Sequence, residues 1–182
     1  MRQTGRIATV PGREAADDFV ALYEQHYGRV VRAVELAGAS THEAEDVAQE
    51  AFARTLARWR RVRKGSSPAG YVYRVAFRLS RSGRRRDVPF SEDHAAVARV
   101  AGAEGAGDLA EGVATRLDVI AALEAMPPGR RSCAVACLVV GMAPKEAGRA
   151  LGIAASTVRK QLERARADLR GSLAGDAPRD GA

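Results

Sequence analysis

The apolar residues of this chain recur mainly at intervals of three and four, the spacing that places side chains on one face of a helix. In the first half of the chain, such segments predict helices over residues 18–37, 40–62 and 69–82. The second of these begins with Ser40 and Glu43, whose spacing predicts a capping box in which each side chain bonds the backbone of the other residue. The pattern therefore predicts an all-α fold.

The second half of the chain resumes this pattern after an interruption. One helix starts near residue 113 and ends at Pro127-Pro128, and further helices are predicted over 131–140, 144–151 and 155–173. The interruption is rich in Ala, Gly and acidic residues and has no sustained periodicity, as expected of a flexible linker. We therefore predict two small helical domains joined by a flexible linker. The boundaries are 1–16 (disordered tail), 17–86 (first domain), 87–112 (acidic linker), 113–174 (second domain) and 175–182 (disordered tail).

Charge is distributed unevenly along the chain. The 182 residues carry 29 Lys and Arg against 22 Asp and Glu, a formal net charge of +7. Residues 54–86 contain 12 basic residues and no acidic one, whereas 1–53, 87–118 and 119–182 have net charges of −4, −5 and +4. Two basic segments that flank an acidic one indicate two modules that face polyanions. Nearly all the basic residues are arginines, which suit bidentate phosphate contacts, although a GC-rich genome produces the same bias.

Residues 144–162 have the layout of a helix-turn-helix, with Gly152 supplying the positive φ that the turn requires. The small core between the two helices is predicted to consist of Ala147, Leu151, Ile153, Val158 and Leu162. The predicted outward-facing residues near the start of the second helix, where a recognition helix reads the major groove, are Ser156, Arg159, Lys160 and Arg164. The alternative is an ordinary helical hairpin with a solvated basic face.

Four aromatic residues lie among the arginines of 54–86, namely Trp59, Tyr71, Tyr73 and Phe77. Aromatic rings beside basic side chains are what single-stranded bases and their phosphates bind. Trp59 falls on an apolar helical stripe and is expected in the core, so Tyr71 or Tyr73 is the better stacking candidate. The alternative is a solvated arginine-rich surface.

Residues for catalysis or metal binding are not recognisable. Cys133 and Cys137 lie four apart on a very apolar helix and are expected to be small buried residues, and the three histidines are scattered. We therefore expect no catalytic residue, no metal and no cofactor, and a protein that is not an enzyme. No apolar run approaches the roughly 18 residues of a membrane span, and the N-terminus lacks the apolar stretch of a secretory signal, so a soluble, cytoplasmic protein is expected.

Three segments resemble parts of a known family. Residues 44–52 and 69–76 resemble region two of bacterial RNA polymerase sigma factors, and residues 127–173 resemble region four. These two regions, joined by a short linker, are the plan of the extracytoplasmic-function (ECF) group of the sigma-70 family. The resemblance implies that the chain binds RNA polymerase core and directs initiation at specific promoters.

The resemblance also implies roles for individual residues. The residues that match the helix docking on the clamp of the polymerase's largest subunit are Asp46, Gln49, Glu50, Arg54 and Arg58. Those that match the surface opening the −10 element are Arg63, Lys64, Tyr71, Tyr73, Arg74, Arg78 and Arg81. Those that match the helix reading the −35 element are Ser156, Thr157, Arg159, Lys160 and Arg164. The implied partners are the clamp and flap of the core polymerase, promoter DNA and an anti-sigma factor, without membrane insertion.

Several residues depart from the family pattern. Ala143 and Ala154 occupy positions that often carry capping serines, a loss of about 1 kcal/mol each. Gly148 adds roughly another 1 kcal/mol relative to Ala within a helix. We therefore hypothesise that region four is marginally stable alone and is ordered by a partner. Arg78 and Ser82 also replace the usual Asn and Asp of region two, which leaves the −10 specificity open.

Two other functions remain open on the sequence alone. One is a conventional regulator that binds duplex DNA through the helix-turn-helix and uses its N-terminal half as a sensor or dimerisation domain. The other is a degenerate sigma-like chain that binds polymerase or an anti-sigma partner without initiating transcription.

Overall fold

The computed structural model describes residues 13–83 and 109–174, and these ranges form helices and no strand. The helices are α1 (Arg13–Leu36), α2 (Thr41–Leu56), α3 (Trp59–Val62), α4 (Pro68–Gly83), α5 (Leu109–Glu124), α6 (Pro128–Ala134), α7 (Pro144–Leu151) and α8 (Ala155–Ala174). A π-helical turn (Val135–Val139) follows α6 directly. The predicted all-α fold is confirmed. We call α1–α4 the N-terminal module and α5–α8 the C-terminal module.

The first helix begins earlier than the sequence predicts, at Arg13, so the last residues of the predicted N-terminal tail are helical. Ala15 is buried against Trp59 and Val62, and its carbonyl accepts a hydrogen bond from Trp59 Nε1 at 2.5 Å. This contact supports the added turn of helix and confirms that Trp59 is a core residue. Similarly, α5 begins at Leu109, inside the predicted linker, whereas 1–12, 84–108 and 175–182 lie outside the described residues.

The core of the N-terminal module forms where α1, α2 and α4 meet, around Val30, Val34, Phe52 and Val72. The helix predicted over 40–62 is in fact two helices, because the backbone leaves helical geometry at Arg58 (φ −117°, ψ 13°). A continuous helical periodicity in the sequence did not reveal this break.

The C-terminal module contains a second departure from the predicted helices. The segment predicted as one α-helix over 131–140 changes after Ala134 to a π-helical turn, in which the Val140 amide donates to the Val135 carbonyl at 3.0 Å. Gly141 then ends the segment with φ +79°. Cys133 is fully buried in this module, and burial raises the pKa of its thiol to about 11, so it is a core thiol as the sequence predicts.

The two modules share a hydrophobic cluster that is separate from the core around Val30 and Phe52. Phe77 on α4 is 2% exposed and packs in the same cluster as Val135, Leu151 and Val158 of the C-terminal module. The buried Arg131 joins the modules at a second point, because its Nε–H donates to the Leu36 carbonyl of α1 at 2.5 Å. The N-terminal and C-terminal modules are therefore packed against each other.

Candidate nucleic-acid interface

Helix α2 presents four of the five residues to which the family resemblance assigns polymerase docking. The predicted capping box is confirmed: the Ser40 amide donates to Glu43 Oε2 at 2.9 Å, and the Glu43 amide donates to Ser40 Oγ at 3.4 Å. With the start of the helix fixed in this way, Ala44, Ala48 and Ala51 face the core. The opposite, exposed face carries the predicted docking residues Asp46, Gln49, Glu50 and Arg54.

Two of these docking residues interact with each other. Arg54 Nε donates to Glu50 Oε1 at 2.6 Å, one helical turn away, and both side chains are about half exposed. Arg58 lies past the end of α2, where its Nη1 donates to the Tyr71 hydroxyl of α4 at 3.4 Å. The structure thus places Arg58 beside a residue of the −10 set.

Helix α4 carries most of the candidate −10 residues, and its first turn is held by Ser67, whose hydroxyl accepts from the Gly70 amide at 3.0 Å. Tyr71 is half-buried, and the Arg74 guanidinium lies 5.8 Å from the centre of its ring. Contacts with Arg58 and Arg74 place Tyr71 between two positive charges. Among the described residues, it is the better placed of the two stacking candidates.

Tyr73 is placed differently. It packs against both hydrophobic clusters, and its ring meets that of His26 edge-on at 6.3 Å between centroids. Burial raises the pKa of the Tyr73 phenol. Of the remaining −10 candidates, Arg63 and Lys64 are exposed in the α3–α4 connection, where Arg63 lies 3.8 Å from Asp18.

The helix-turn-helix forms as the sequence predicts, with α7 and α8 joined by Gly152 at φ +62°. Its core contains Ala147, Leu151, Val158 and Leu162. The prediction for Ile153 was wrong, because this side chain is 37% exposed in the turn. The five −35 candidates are all exposed over the first three turns of α8: Ser156, Thr157, Arg159, Lys160 and Arg164.

Gly148 has a role that helix propensity alone does not show. A Cβ at this position would lie 2.8 Å from the Ile153 carbonyl oxygen and 3.3 Å from the Ala155 amide nitrogen. Glycine therefore lets α7 approach the start of α8 closely. The roughly 1 kcal/mol of helix stability that glycine loses relative to alanine is therefore offset by a close helix packing that alanine would prevent.

The end of α4 contacts the turn of the helix-turn-helix, a contact that the sequence analysis missed. Arg81 Nη1 donates to the Leu151 carbonyl at 2.6 Å, and a Cβ on Gly152 would overlap this guanidinium. A candidate −10 residue thus donates to the last residue of α7, directly before the C-cap Gly152. The signal in the sequence is the pair Tyr73 and Phe77, which adds a second apolar face to α4 beside Val72 and Ala76.

The part of the chain that the structure describes has no group of three or more His, Cys, Asp or Glu side chains that could hold a metal ion. Nor does it contain a helix long and apolar enough to cross a membrane.

These features define a helical protein of two modules, one bearing a helix-turn-helix and the other an arginine- and tyrosine-bearing helix. The family model for Sigma-70 region 2 matches residues 22–88, and that for Sigma-70, region 4 matches residues 116–169. The chain belongs to the sigma-70 family and resembles its ECF members.

Individual relatives agree with this assignment. The ECF RNA polymerase sigma factor SigE of Mycolicibacterium smegmatis is 32% identical over 160 residues, which cover 84% of this chain and 60% of that protein. The probable RNA polymerase sigma factor RfaY of Xanthomonas campestris pv. campestris is 31% identical over 166 residues, or 82% of this chain and 41% of that protein. The chain thus spans less than two thirds of the length of either curated relative.

Two solved structures share the fold. CnrH, solved in complex with the cytosolic domain of CnrY, superposes with a TM-score of 0.54 at 23% identity, covering 90% of this chain and 95% of that chain. The sigma factor RpoE of Bartonella quintana, solved with the anti-sigma factor NepR, gives a TM-score of 0.61 at 18% identity, covering 88% and 99%.

Proposed function

We propose that this chain binds RNA polymerase core and directs it to specific promoters, with region 4 reading the −35 element and region 2 capturing the −10 element. The observation that carries the proposal is the pairing of two surfaces in one sigma-70 chain. One is the exposed polar row on α8, and the other is the Tyr71–Arg74 cluster on α4. A regulator that binds only duplex DNA has no use for the second surface.

At the −35 element, α8 enters the major groove by its N-terminal turns. Ser156 and Thr157 lie in the first turn, where short side chains and backbone amides reach phosphates. Arg159, Lys160 and Arg164 are exposed and long enough to reach base edges or phosphates. The buried Val158 fixes the face of α8 that turns away from DNA.

At the −10 element, Tyr71 offers a ring for an unstacked base, and Arg58 and Arg74 supply positive charge beside it. Stacking of this kind contributes about 1–3 kcal/mol per base, which offsets the few kcal/mol that unstacking costs. Arg63, Lys64, Arg78 and Arg81 extend the positive surface along the phosphates. Tyr73 packs against the two larger hydrophobic clusters on the core side of α4.

Polymerase docking uses the exposed face of α2. Asp46, Gln49 and Glu50 present polar groups to the clamp, and the ion pair at 2.6 Å lets Arg54 hold Glu50 in place. An anti-sigma factor is a further proposed partner, because RpoE of Bartonella quintana was solved with one.

The test is run-off transcription with purified core polymerase and a library of genomic promoters. Specific transcripts are expected from the intact chain. Lys160→Ala should lower them by about fivefold to a hundredfold, since one base-reading side chain contributes about 1–3 kcal/mol. Arg170→Ala is the matched control, because it removes an equal charge from the exposed face of α8 farther from the recognition residues. Equal effects of the two variants would contradict the −35 assignment.

A second pair of variants tests region 2 independently. Tyr71→Ala should reduce permanganate reactivity of thymines at the −10 element, and Tyr71→Phe should restore it because the ring is retained. Polymerase binding without any transcript would instead favour the degenerate sigma-like chain. Binding to duplex operators without polymerase would favour the conventional regulator.

A further inference from the structure

A cleft of about 520 Å³ lies between the two modules. Helix α1 and the first turns of α4 form one side, and residues 139–142 with the start of α7 form the other. The volume falls within the roughly 300–1,000 Å³ typical of small-molecule sites. Because the walls come from both modules, the cleft exists only while the modules are in contact. We call it the inter-module cleft.

Positive charge is concentrated around the inter-module cleft. Arg29 and Arg32 line it from α1, and Arg74 lines it from α4. None of the three guanidinium groups has an ion-pair partner among the described residues. The carboxylate in the lining belongs to Glu146, which accepts the Ala143 amide at 3.4 Å. Three cations facing one acid leave the cleft electropositive.

The groups around Arg29 complete the lining. His26, Arg29 and Tyr73 line the cleft together. Burial and then the charge of Arg29 lower the pKa of His26. His26 Nδ1 is buried and has no hydrogen-bond partner within residues 13–83 and 109–174. Tyr73 and Met142 add aromatic and apolar surface. The cleft therefore combines several guanidinium donors, one unsatisfied imidazole nitrogen and an apolar wall.

We propose that the inter-module cleft binds a small phosphate-bearing molecule of the nucleotide class through Arg29, Arg32 and Arg74. Arginine donates bidentate hydrogen bonds to phosphate oxygens, and the apolar wall suits the remainder of such a ligand. A ligand that contacts both modules stabilises their contact, since it binds the packed form better than the separated one. DNA phosphates share this chemistry, but the C-terminal module closes one side of the cleft, which favours a compact ligand over a continuous strand.

The test is isothermal titration calorimetry of the full chain with ADP and with inorganic pyrophosphate. Saturable binding at one site is expected. The double variant Arg29→Gln/Arg32→Gln should lower the affinity for both ligands by roughly a hundredfold. Each lost guanidinium removes a charged hydrogen-bonding group, which contributes about tenfold in affinity. Arg13→Gln/Arg116→Gln is the matched control, because both residues are exposed and outside the lining, and it should change affinity less than twofold. No binding at millimolar ligand, or equal weakening by both double variants, would overturn the proposal.

A ten-nucleotide single-stranded DNA distinguishes the two sources of phosphate. One outcome would show that the cleft binds DNA and that the proposal is wrong. In that outcome, ADP and pyrophosphate do not bind the intact chain, and Arg29→Gln/Arg32→Gln lowers the affinity of the chain for the single-stranded DNA. Hydrogen exchange supplies a second readout: ADP should slow exchange in both α4 and α7, one from each module. Neither measurement uses polymerase or a promoter, so a negative result leaves the proposed sigma function standing.

Discussion

The contact between Arg81 and the turn at Gly152 allows a sharp mutational test of module packing. In Gly152→Ala, the new Cβ would overlap the Arg81 guanidinium and displace it from the Leu151 carbonyl. The substitution also places alanine at φ +62°, a left-handed strain of about 1–2 kcal/mol. The lost charged hydrogen bond adds about 1.5 kcal/mol, the low end of the usual range, because Arg81 is exposed.

Gly141→Ala is the matched control, since Gly141 has φ +79° and the described part of the chain has no atom within 4 Å of a Cβ placed there. It should cost the strain alone, about 1–2 kcal/mol, whereas Gly152→Ala should cost about 2.5–3.5 kcal/mol. In an Arg81→Ala background, where the hydrogen bond is already absent, the cost of Gly152→Ala should fall to that of Gly141→Ala. Urea unfolding at 25 °C, followed by circular dichroism, measures the five free energies of unfolding: those of the intact chain, the three single variants and the Arg81→Ala/Gly152→Ala double variant.

This reasoning would be refuted if the free-energy costs of Gly152→Ala and Arg81→Ala simply added in the double variant. If Gly152→Ala costs the same with and without Arg81, then the guanidinium does not occupy the space beside Gly152 in solution. The hydrogen bond from Arg81 to the Leu151 carbonyl would then not contribute to the packing of α4 against the helix-turn-helix.

Three other results are expected. Gly148→Ala should destabilise the chain by about 1–3 kcal/mol in urea unfolding because its Cβ meets the backbone at Ile153; stabilisation by about 1 kcal/mol, as helix propensity predicts, would contradict the close approach. Burial lowers the pKa of His26, so the neutral imidazole stabilises the fold above its unfolded pKa near 6.5 and this contribution is lost as the pH falls. Between pH 7.5 and 5.5 the intact chain should therefore lose more stability than His26→Asn; parallel profiles would refute this. The pKa of Cys133 near 11 should prevent iodoacetamide labelling at pH 8 in the folded chain, as peptide mass mapping will show, and labelling within minutes would count against its burial.

Local sequence signals predicted local structure well. The capping box of Ser40 and Glu43 and the left-handed Gly152 were both predictable, because each depends on residues within one turn of the chain. The exposed face of α8 followed from helical periodicity in the same way. Whether the exposed residues have the assigned roles remains a prediction.

Features set by distant contacts could not be predicted. The early start of α1 depends on Trp59, which lies 44 residues away from Ala15. The position of Ile153 in the helix-turn-helix pattern predicts a core residue, but the geometry of the turn leaves its side chain exposed. The packing of the modules could not be predicted, because the sequence shows a single broad apolar stripe along α4. Only the contacts of Phe77 in the structure show that this stripe is two faces, one of which packs against the C-terminal module.

The shared core also bears on the hypothesis that region 4 is marginally stable alone. Ala33, Ala37 and Phe77 of the N-terminal module belong to the same buried cluster as Val135 and Leu151. If that hypothesis holds, the N-terminal module of the same chain is the partner expected to order region 4, since it packs against it. A cooperative thermal melt of the isolated 113–175 fragment would contradict that dependence.

The contact of α7 with α4 has a kinetic consequence for any partner that needs the covered face of α4. Such a partner can engage only after the modules separate, so binding becomes a first-order opening followed by second-order capture. The observed association rate should then stop rising with partner concentration and level off at the opening rate. Module packing would thus limit how fast such a partner binds, however abundant that partner is.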